Sequence, residues 1–428
     1  MPSSTAQVPL PPTTAPRAEE PGERYIRSAR LGITQISTAQ LEQNDARYRN
    51  ALLLGAGWNR WPLYWNAVES SQGAYNWGEY DRLVREDIRH GLNINAILLD
   101  RPAFYANGES IVGLNQPVFA DGSDTPGAGK AINPENPWAQ FVYAAVQRYK
   151  PGGQLAQEMG WFNGEGVTVW EVWNEPDLPQ FWRGGFLGYA RLLKVAYLAA
   201  HHADPGAMVM FGGLLYNTPD NWLGRVLAIY INVPQAAANN YYMDAVAFHS
   251  FSYPWRTGWL ALFTRQTLIA YDIDRPIFAN ETGLNVWNDY PGPVWASSSE
   301  QRYKLGTADQ AAWYFIQSTA YAWAQGADVV FYHQLYDDCG DQPAGTNFPP
   351  NNGELCANGL PCFGDAFGLF RNQSNSLCYS QHPRPGTPRP AAAAFRLMAQ
   401  IFGGESLGAG EVLREDGYTV ISFERPFR

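Results

Sequence analysis

The feature that most constrains the fold is an alternation of apolar, β-branched segments with segments of helical periodicity along most of the 428 residues. Short apolar runs between turn signals predict strands, and apolar residues three or four positions apart predict helices. The predicted strands span 31–37, 57–63, 93–99, 207–214, 244–249, 276–281 and 328–333, and one more begins the motif 167–177. The predicted helices span 38–54, 79–90, 138–149, 187–203, 221–230, 261–271, 308–325 and 390–402.

Eight strands that alternate with helices predict an α/β fold in which a parallel sheet closes as a (β/α)8 TIM barrel. An open, doubly wound parallel sheet is the alternative. It is typically marked by a Gly-rich phosphate turn after its first strand, and this sequence has no such turn there. We therefore predict one barrel domain over 25–402, which is long enough to bury a large core.

The two ends of the chain differ from the predicted barrel in composition and in hydrophobic pattern. Residues 1–24 are rich in Pro, Thr, Ala and Glu, which predicts a disordered linker. Residues 403–428 contain two strand-like runs around Asp416-Gly417. This pattern predicts a short C-terminal β segment, either a hairpin that packs on the barrel or the start of a β-domain.

All four cysteines, Cys339, Cys356, Cys362 and Cys378, fall in an insertion predicted at about 337–385, after the eighth strand. Zinc binding is one interpretation, but the spacings match no common ligand pattern and no His accompanies them. Two disulfides fit better, with three possible pairings. Disulfides indicate an oxidising compartment, so we expect a secreted or cell-surface protein, although residues 1–24 lack the features of a signal peptide.

Charge and hydropathy exclude two classes of partner. The formal net charge is −10 and there is no basic run to follow phosphates, so nucleic acid is not an expected partner. No apolar run approaches the roughly 20 residues of a membrane-spanning helix. The sequence leaves the oligomeric state undetermined.

Two glutamates stand at the carboxyl ends of predicted strands. Glu175 follows the fourth strand in Trp173-Asn174-Glu175-Pro176, and Glu281 ends the seventh. Both would project over one mouth of a barrel, where two carboxylates about 5 to 5.5 Å apart support glycoside hydrolysis with retention. The alternative is that each glutamate merely forms an ion pair at a strand end.

The segment 170–178 (Trp-Glu-Val-Trp-Asn-Glu-Pro-Asp-Leu), with Phe181-Trp182 and the strand-end Glu281, resembles clan A of the retaining glycoside hydrolases. It is most similar to family 39, which includes β-xylosidases and α-L-iduronidases. The clan-level resemblance covers about residues 29–402. It implies that Glu175 is the general acid/base and Glu281 the nucleophile, with no metal or organic cofactor.

The same resemblance implies further contacts. Asn174 would bind the sugar 2-hydroxyl, Arg60 would pair with the nucleophile, and His249 with Tyr253 would complete the site. The alternative for Arg60 is a structural ion pair, and for His249 a buried, hydrogen-bonded core position. Five other candidates for substrate contact, each of which loop packing would also explain, are Trp65, Tyr105, Trp182, Trp287 and His333.

The sequence also departs from the family. Clan members commonly end strand eight in a Trp that floors the sugar site, whereas this chain has Phe331-Tyr332-His333-Gln334. We expect Trp287 or Trp295, in the loop after strand seven, to take that place. The long loops predict a pocket, and therefore a retaining glycosidase that is exo-acting on short glycosides or oligosaccharides. The alternatives are endo-action on a polysaccharide, transglycosylation, and a non-catalytic carbohydrate-binding surface protein.

Overall fold

The computed structural model describes residues 27–37, 45–108, 110–286, 289, 305–337, 366–372, 384–403 and 410–424. Eight strands form a closed barrel, in which each strand pairs in parallel with its neighbours and the first pairs with the last. The strands are β1 (Ser28–Thr34), β2 (Ala56–Tyr64), β3 (Asn93–Leu99), β4 (Val169–Val172), β5 (Met208–Leu214), β6 (Ala245–Phe251), β7 (Ile277–Gly283) and β8 (Val329–Tyr332). The predicted (β/α)8 barrel is confirmed.

Within the described residues, a helix follows each barrel strand. The helices are α1 (Asp45–Leu54), α2 (Gly78–Arg89), α3 (Pro137–Tyr149), α4 (Gly185–Ala203), α5 (Trp222–Tyr230), α6 (Pro254–Ala270), α7 (Ala308–Ala324) and α8 (Pro390–Phe402). None of these helices is long and apolar enough to cross a membrane.

Element boundaries differ from the predictions in two instructive places. Helix α6 begins at Pro254, whereas the sequence predicted that it begins at residue 261. Exposed Trp255 and Trp259 on its outer face interrupt the apolar periodicity that would have revealed its first turns. Strand β4 is only four residues long, so it ends before Glu175, whereas β7 continues two residues past Glu281.

The barrel interior is layered. Its lower layer is an apolar cluster to which Trp58, Val169, Phe278 and Phe331 contribute. Since side chains alternate along a strand, the residue two positions later faces the same way. Arg60, Glu171 and Asn280 therefore form a polar layer directly above the apolar one, near the carboxyl ends of the strands. A second, larger apolar cluster fills the space between the barrel and the helices.

A buried charge network fixes the segments after β7 and β8. The guanidinium of Arg389, at the start of α8, binds both oxygens of Asp337 at 2.6 and 2.8 Å and reaches Asp289 at 3.0 Å. Arg371 also binds Asp289, at 2.8 Å. These ion pairs hold the described parts of two rim loops against the barrel.

The C-terminal segment forms the predicted hairpin, with strands β9 (Gly410–Glu415) and β10 (Tyr418–Phe423) paired in antiparallel fashion. Phe423 packs against Phe402 of α8 at a ring distance of 5.7 Å, so the hairpin rests on the barrel. The predicted linker 1–24, the four cysteines, Trp287 and Trp295 lie outside the described residues.

We predict that Gly32→Ala destabilises the fold. Gly32 lies on β1, and a Cβ there would stand 2.3 Å from the Phe331 ring in the closed barrel. Such overpacking costs about 1–3 kcal/mol. Urea unfolding would measure the loss, with Gly78→Ala as the control because its nearest neighbour would be Asn76 at 3.4 Å. Equal stability of the two variants would contradict the close packing inside the barrel.

Candidate active site

Strands β4, β6 and β7 bring three titratable groups together at the carboxyl end of the barrel. His249 Nδ1 lies 2.7 Å from Glu175 Oε1 and 3.5 Å from Glu281 Oε2. One ligand atom from each of the three residues lies within 4.8 Å of the others. The two glutamates singled out from sequence are therefore neighbours around one imidazole. The His249 side chain is fully buried, and those of Glu175 and Glu281 are 10% and 15% exposed.

The backbone after β4 turns sharply to present Glu175. Trp173 and Glu175 adopt positive φ angles of 69° and 41°, which cost of order 1–3 kcal/mol each for residues other than glycine. Contacts with β5 hold this conformation. The Glu175 N–H donates to the Gly213 carbonyl at 3.0 Å, and Asp177 accepts the N–H groups of Leu215 and Tyr216.

Arg60, in the middle of β2, organises the polar layer. Its Nη1 donates to Glu281 Oε1 at 2.5 Å and its Nη2 donates to Asn174 Oδ1 at 3.0 Å. The guanidinium also forms a two-point contact with Glu171, from Nε at 2.7 Å and from Nη2 at 2.9 Å. The sequence reasoning predicted the pairing of Arg60 with Glu281, and the structure places the two in contact.

Glu171 is the residue that the sequence reasoning missed. It lies four positions before Glu175 in β4 and is fully buried. The signal was present in the sequence, because a glutamate inside an apolar, barrel-forming strand needs charged or hydrogen-bonding partners.

The two glutamates titrate differently. Burial is the largest influence on Glu175 and raises the pKa of its carboxyl; the charges of Glu281 and Asp177 add to the rise and His249 opposes it. Burial would also raise the pKa of Glu281, but His249 and Arg60 outweigh it and hold that pKa at about 2. At neutral pH this favours a proton on Glu175 over one on Glu281.

The ring of His249 fits only because position 213 is a glycine. A Cβ on Gly213 would lie 2.0 Å from His249 Nε2, so β5 must carry glycine there for the ring to fit. Arg60 Nη2 lies 3.3 Å from the same nitrogen, and its two N–H bonds are directed at Glu171 and Asn174. A donor group this close disfavours a hydrogen on Nε2, so in the neutral ring Nδ1 carries the hydrogen and donates to Glu175. Burial lowers the pKa of His249, but the two carboxylates more than compensate, and the net shift is upward.

Tyr253 and His333 differ in their placement. Tyr253 precedes α6, is 39% exposed, and its ring lies 6.0 Å from that of Trp255. In the described structure no hydrogen bond links its hydroxyl to Glu281. His333 lies after β8, with Nδ1 2.9 Å from the Thr34 hydroxyl, and its ring meets Phe251 and Phe367 edge-on at 5.9 and 5.5 Å. Its charge also contributes to the lowered pKa of Glu281.

Three of the aromatic residues proposed to contact sugar, Trp65, Tyr105 and Trp182, pack against other side chains. Trp65 is fully buried and donates from its indole to Glu69, and Tyr105 stacks on it at 5.1 Å while its hydroxyl donates to the same Glu69. Trp182 is 4% exposed and packs edge-on against Trp173 at 5.3 Å. Buried rings have no free face for a sugar. These positions support the loops that carry the site, which corrects the expectation of direct stacking for Trp65 and Trp182.

A cavity of about 570 Å³ opens beside the mouth, where the loops after β2 and β3 meet. Its walls combine acidic, amide, basic and aromatic groups, contributed mainly by Asn66, Glu69, Asp100, Arg101 and Phe104. Asn66 donates to Asp100 at 2.8 Å, which joins the two loops. Polar groups around an aromatic ring suit a hydroxyl-rich ligand.

The chain matches no protein-family model and no curated protein sequence. Solved structures do share its fold. A family 39 glycoside hydrolase from Bacteroides cellulosilyticus WH2 is 17% identical, with a TM-score of 0.53 over 93% of this chain and 68% of that one. A monomeric β-xylosidase from Caulobacter crescentus CB15 is 16% identical, with a TM-score of 0.56 over 92% and 71% of the two chains. A GH5_18 protein from Streptomyces cattleya, solved with GlcNAc, is 13% identical, with a TM-score of 0.52 over 88% and 81%.

At these identities the likeness is one of fold. Three of the structures that share the fold are described as family 39 enzymes, the family that the segment 170–178 resembles.

We predict that in Glu281→Gln the free energy of unfolding falls less steeply as the pH is lowered into the acid range. The Glu281 pKa falls from its ordinary value of 4.5 to about 2 on folding, so its contribution is present above 4.5 and is lost as the pH falls towards 2. The contribution is at most about 3 kcal/mol. Urea midpoints measured between pH 6 and about 3 would reveal it.

Glu175→Gln is the matched control, because the Glu175 pKa is shifted in the opposite direction. A carboxyl with a raised pKa favours the folded state at low pH and opposes it at high pH. This variant should therefore be more stable than wild type at a pH above the ordinary pKa of glutamate. It should still lose stability as the pH falls into the acid range. If Glu281→Gln lost stability as steeply as the wild type in that range, the assigned ion pairing would be wrong.

Proposed function

We propose that this protein is a retaining glycoside hydrolase that acts by double displacement. One observation carries the proposal. Two glutamates from β4 and β7 meet around His249 at the carboxyl end of a closed barrel, with carboxylate oxygens within 4.8 Å and pKa values shifted in opposite directions. This end of a (β/α)8 barrel is where such folds carry their active sites.

Glu281 is the nucleophile in this proposal. Its low pKa keeps it ionised, and Arg60 holds one oxygen so that the other is available to the anomeric carbon. Attack forms a covalent bond between Glu281 and the sugar while the bond to the leaving oxygen breaks. Its side chain is 15% exposed, against none for His249, so we infer that substrate can reach this carboxylate.

Glu175 is the general acid and then the general base. Its raised pKa favours the protonated form, which supplies the proton to the leaving oxygen. In the second step the ionised carboxylate takes a proton from the water that displaces the sugar from Glu281. His249 Nδ1 binds Oε1 of Glu175 at 2.7 Å, which leaves Oε2 to carry the transferred proton.

Asn174 is placed to recognise the sugar. Its Oδ1 accepts from Arg60 Nη2 at 3.0 Å, so the orientation of the amide is fixed and Nδ2 remains as a donor. A donor adjacent to the nucleophile suits the sugar 2-hydroxyl, whose hydrogen bond strengthens in the transition state.

We further propose exo-action on short glycosides or oligosaccharides. Phe367, which follows the insertion after β8, packs against Phe251 at 5.6 Å and against His333 at 5.5 Å. Phe367 therefore lies at the rim over the end of β7, where a Cβ on Gly283 would be 3.2 Å from its ring. It narrows the mouth on this side, which favours a pocket over an open cleft. His333 lies where clan members commonly have a Trp, so the sugar floor here would be an imidazole with aromatic neighbours.

A panel of aryl glycosides tests the proposal, with wild type, Glu281→Ala and Glu175→Ala compared on each sugar. Glu281→Ala should lose several orders of magnitude in kcat/KM on the sugar that wild type hydrolyses. Glu175→Ala should lose less with a good leaving group, which needs little protonation. NMR of the first-formed product should show the anomeric configuration of the substrate.

Glu79→Ala is the control, since this glutamate is 69% exposed on α2. It should retain wild-type activity. Activity that survives Glu281→Ala, or a first product of inverted configuration, would overturn the proposed mechanism. If the wild type hydrolysed none of the aryl glycosides but cleaved a polysaccharide at internal bonds, the proposal of exo-action would be wrong.

A further inference from the structure

Glu171 is the most heavily hydrogen-bonded carboxylate of the polar layer, and the mechanism above does not use it. Five N–H donors point at its two oxygens: Arg60 Nε and Nη2, Asn95 Nδ2, Asn280 Nδ2 and the backbone N–H of Gly213. The distances run from 2.7 Å for Arg60 Nε to 3.2 Å for Asn95. Strands β2, β3, β5 and β7 thus converge on one side chain of β4.

The partners show in what form Glu171 exists. Every one of them donates and none accepts, so a protonated carboxyl would place its own hydrogen against a donor. The residue is fully buried, yet its partners include a guanidinium in two-point contact, an arrangement that compensates for the loss of hydration. The donors therefore bind Glu171 as a carboxylate, buried beneath the site and out of reach of a substrate.

The geometry of Arg60 depends on this charge. A guanidinium is a rigid planar fork, so fixing its Nε and Nη2 on Glu171 determines where its remaining N–H bonds point. In this orientation Nη1 meets Glu281 and Nη2 also meets Asn174. Asn280, another partner of Glu171, directly precedes Glu281 in β7.

We propose that Glu171 is a positioning residue, which fixes Arg60 against Glu281 and Asn174 and supplies the negative charge that balances Arg60 beneath the site. The inference rests on the proposed glycosidase function. Without Glu171, the charge of Arg60 would be shared with Glu281 alone, and the site would gain one positive charge. Glu175 would then lose its proton at lower pH.

Several charges face Glu175 and determine this response. His249 lies against it from β6, Glu281 from β7 and Asp177 from its own loop, with Arg60 behind His249 and His333 on the far side of Glu281. Replacing Glu171 leaves all five of these side chains in the chain. A change in the pKa of Glu175 would therefore reflect the loss of the Glu171 charge.

The test is the pH dependence of kcat/KM for Glu171→Gln. Glutamine keeps the size of the side chain but removes its charge. We expect kcat/KM at the optimum to fall about 10- to 100-fold, since Arg60 is no longer held at two points. We also expect the alkaline limb, which reports the proton of Glu175, to move down by about one pH unit. This is the size expected for one unit charge within roughly 10 Å at an effective dielectric constant of about 20.

Asp87→Asn is the matched control. Asp87 is also a fully buried carboxylate with several donors, from Tyr48, Asn59 and Trp61, but it lies on α2 outside the barrel interior. This variant should lose stability and leave the alkaline limb in place. An unmoved limb in a folded Glu171→Gln variant would overturn the proposal, because it would leave Glu171 with a purely structural role.

Glu171→Asp provides a second test that does not depend on the folding of the glutamine variant. Aspartate keeps the charge but is one methylene shorter, so it cannot maintain the two-point contact with Arg60. We expect kcat to fall at least tenfold while the alkaline limb stays in place. Wild-type kcat in Glu171→Asp would contradict the positioning role.

Failure of the underlying function gives a different result. If Glu281→Ala retained wild-type activity, the proposed mechanism would be wrong, and the pH profiles of the Glu171 variants would no longer test the positioning role. If Glu281→Ala is inactive and Glu171→Gln is unshifted, only the inference about Glu171 fails.

Discussion

The buried guanidinium of Arg60 is the interaction on which the rest of the site depends, because it lies between two carboxylates inside a closed barrel. Burying any one of these charges alone would cost several kcal/mol. Together they satisfy one another, with Glu171 below, Glu281 above and Asn174 to the side. The arrangement holds a nucleophile ionised in a place where burial alone would protonate it.

The closed barrel makes this network possible. Its lower interior is apolar and packed by Trp58, Phe278 and Phe331, so the polar layer rests on a rigid floor. The parallel strands direct all their carboxyl ends to one mouth, and residues distant in sequence become neighbours there. Gly213 shows how tight the fit is: its N–H binds Glu171, its carbonyl accepts from Glu175, and its missing Cβ leaves room for His249.

The environment of each carboxylate, rather than its chemical identity, separates the proposed functions. Glu175 is buried beside other negative charges and its pKa rises. Glu281 is also buried, but His249 and Arg60 outweigh its burial and lower its pKa. Glu171 is surrounded by donors and, in our proposal, serves only to orient and balance. Three glutamates in one mouth thus have three roles, and a different set of neighbours fixes each of them.

The sequence by itself determined the barrel, since hydrophobic periodicity is a local property and eight strand–helix units leave few ways to close a core. It also singled out Glu175 and Glu281, because glutamates at the ends of apolar strands are visible along the chain, and the family resemblance pointed to Arg60 and His249. Only the tertiary structure decided that Trp65 and Trp182 are buried supports, that Tyr253 lies at the exposed start of α6, and that Glu171 joins five strands. Those facts depend on which strands stand side by side and how closely they pack. Such distances arise only when the barrel closes, so no local pattern in the sequence records them.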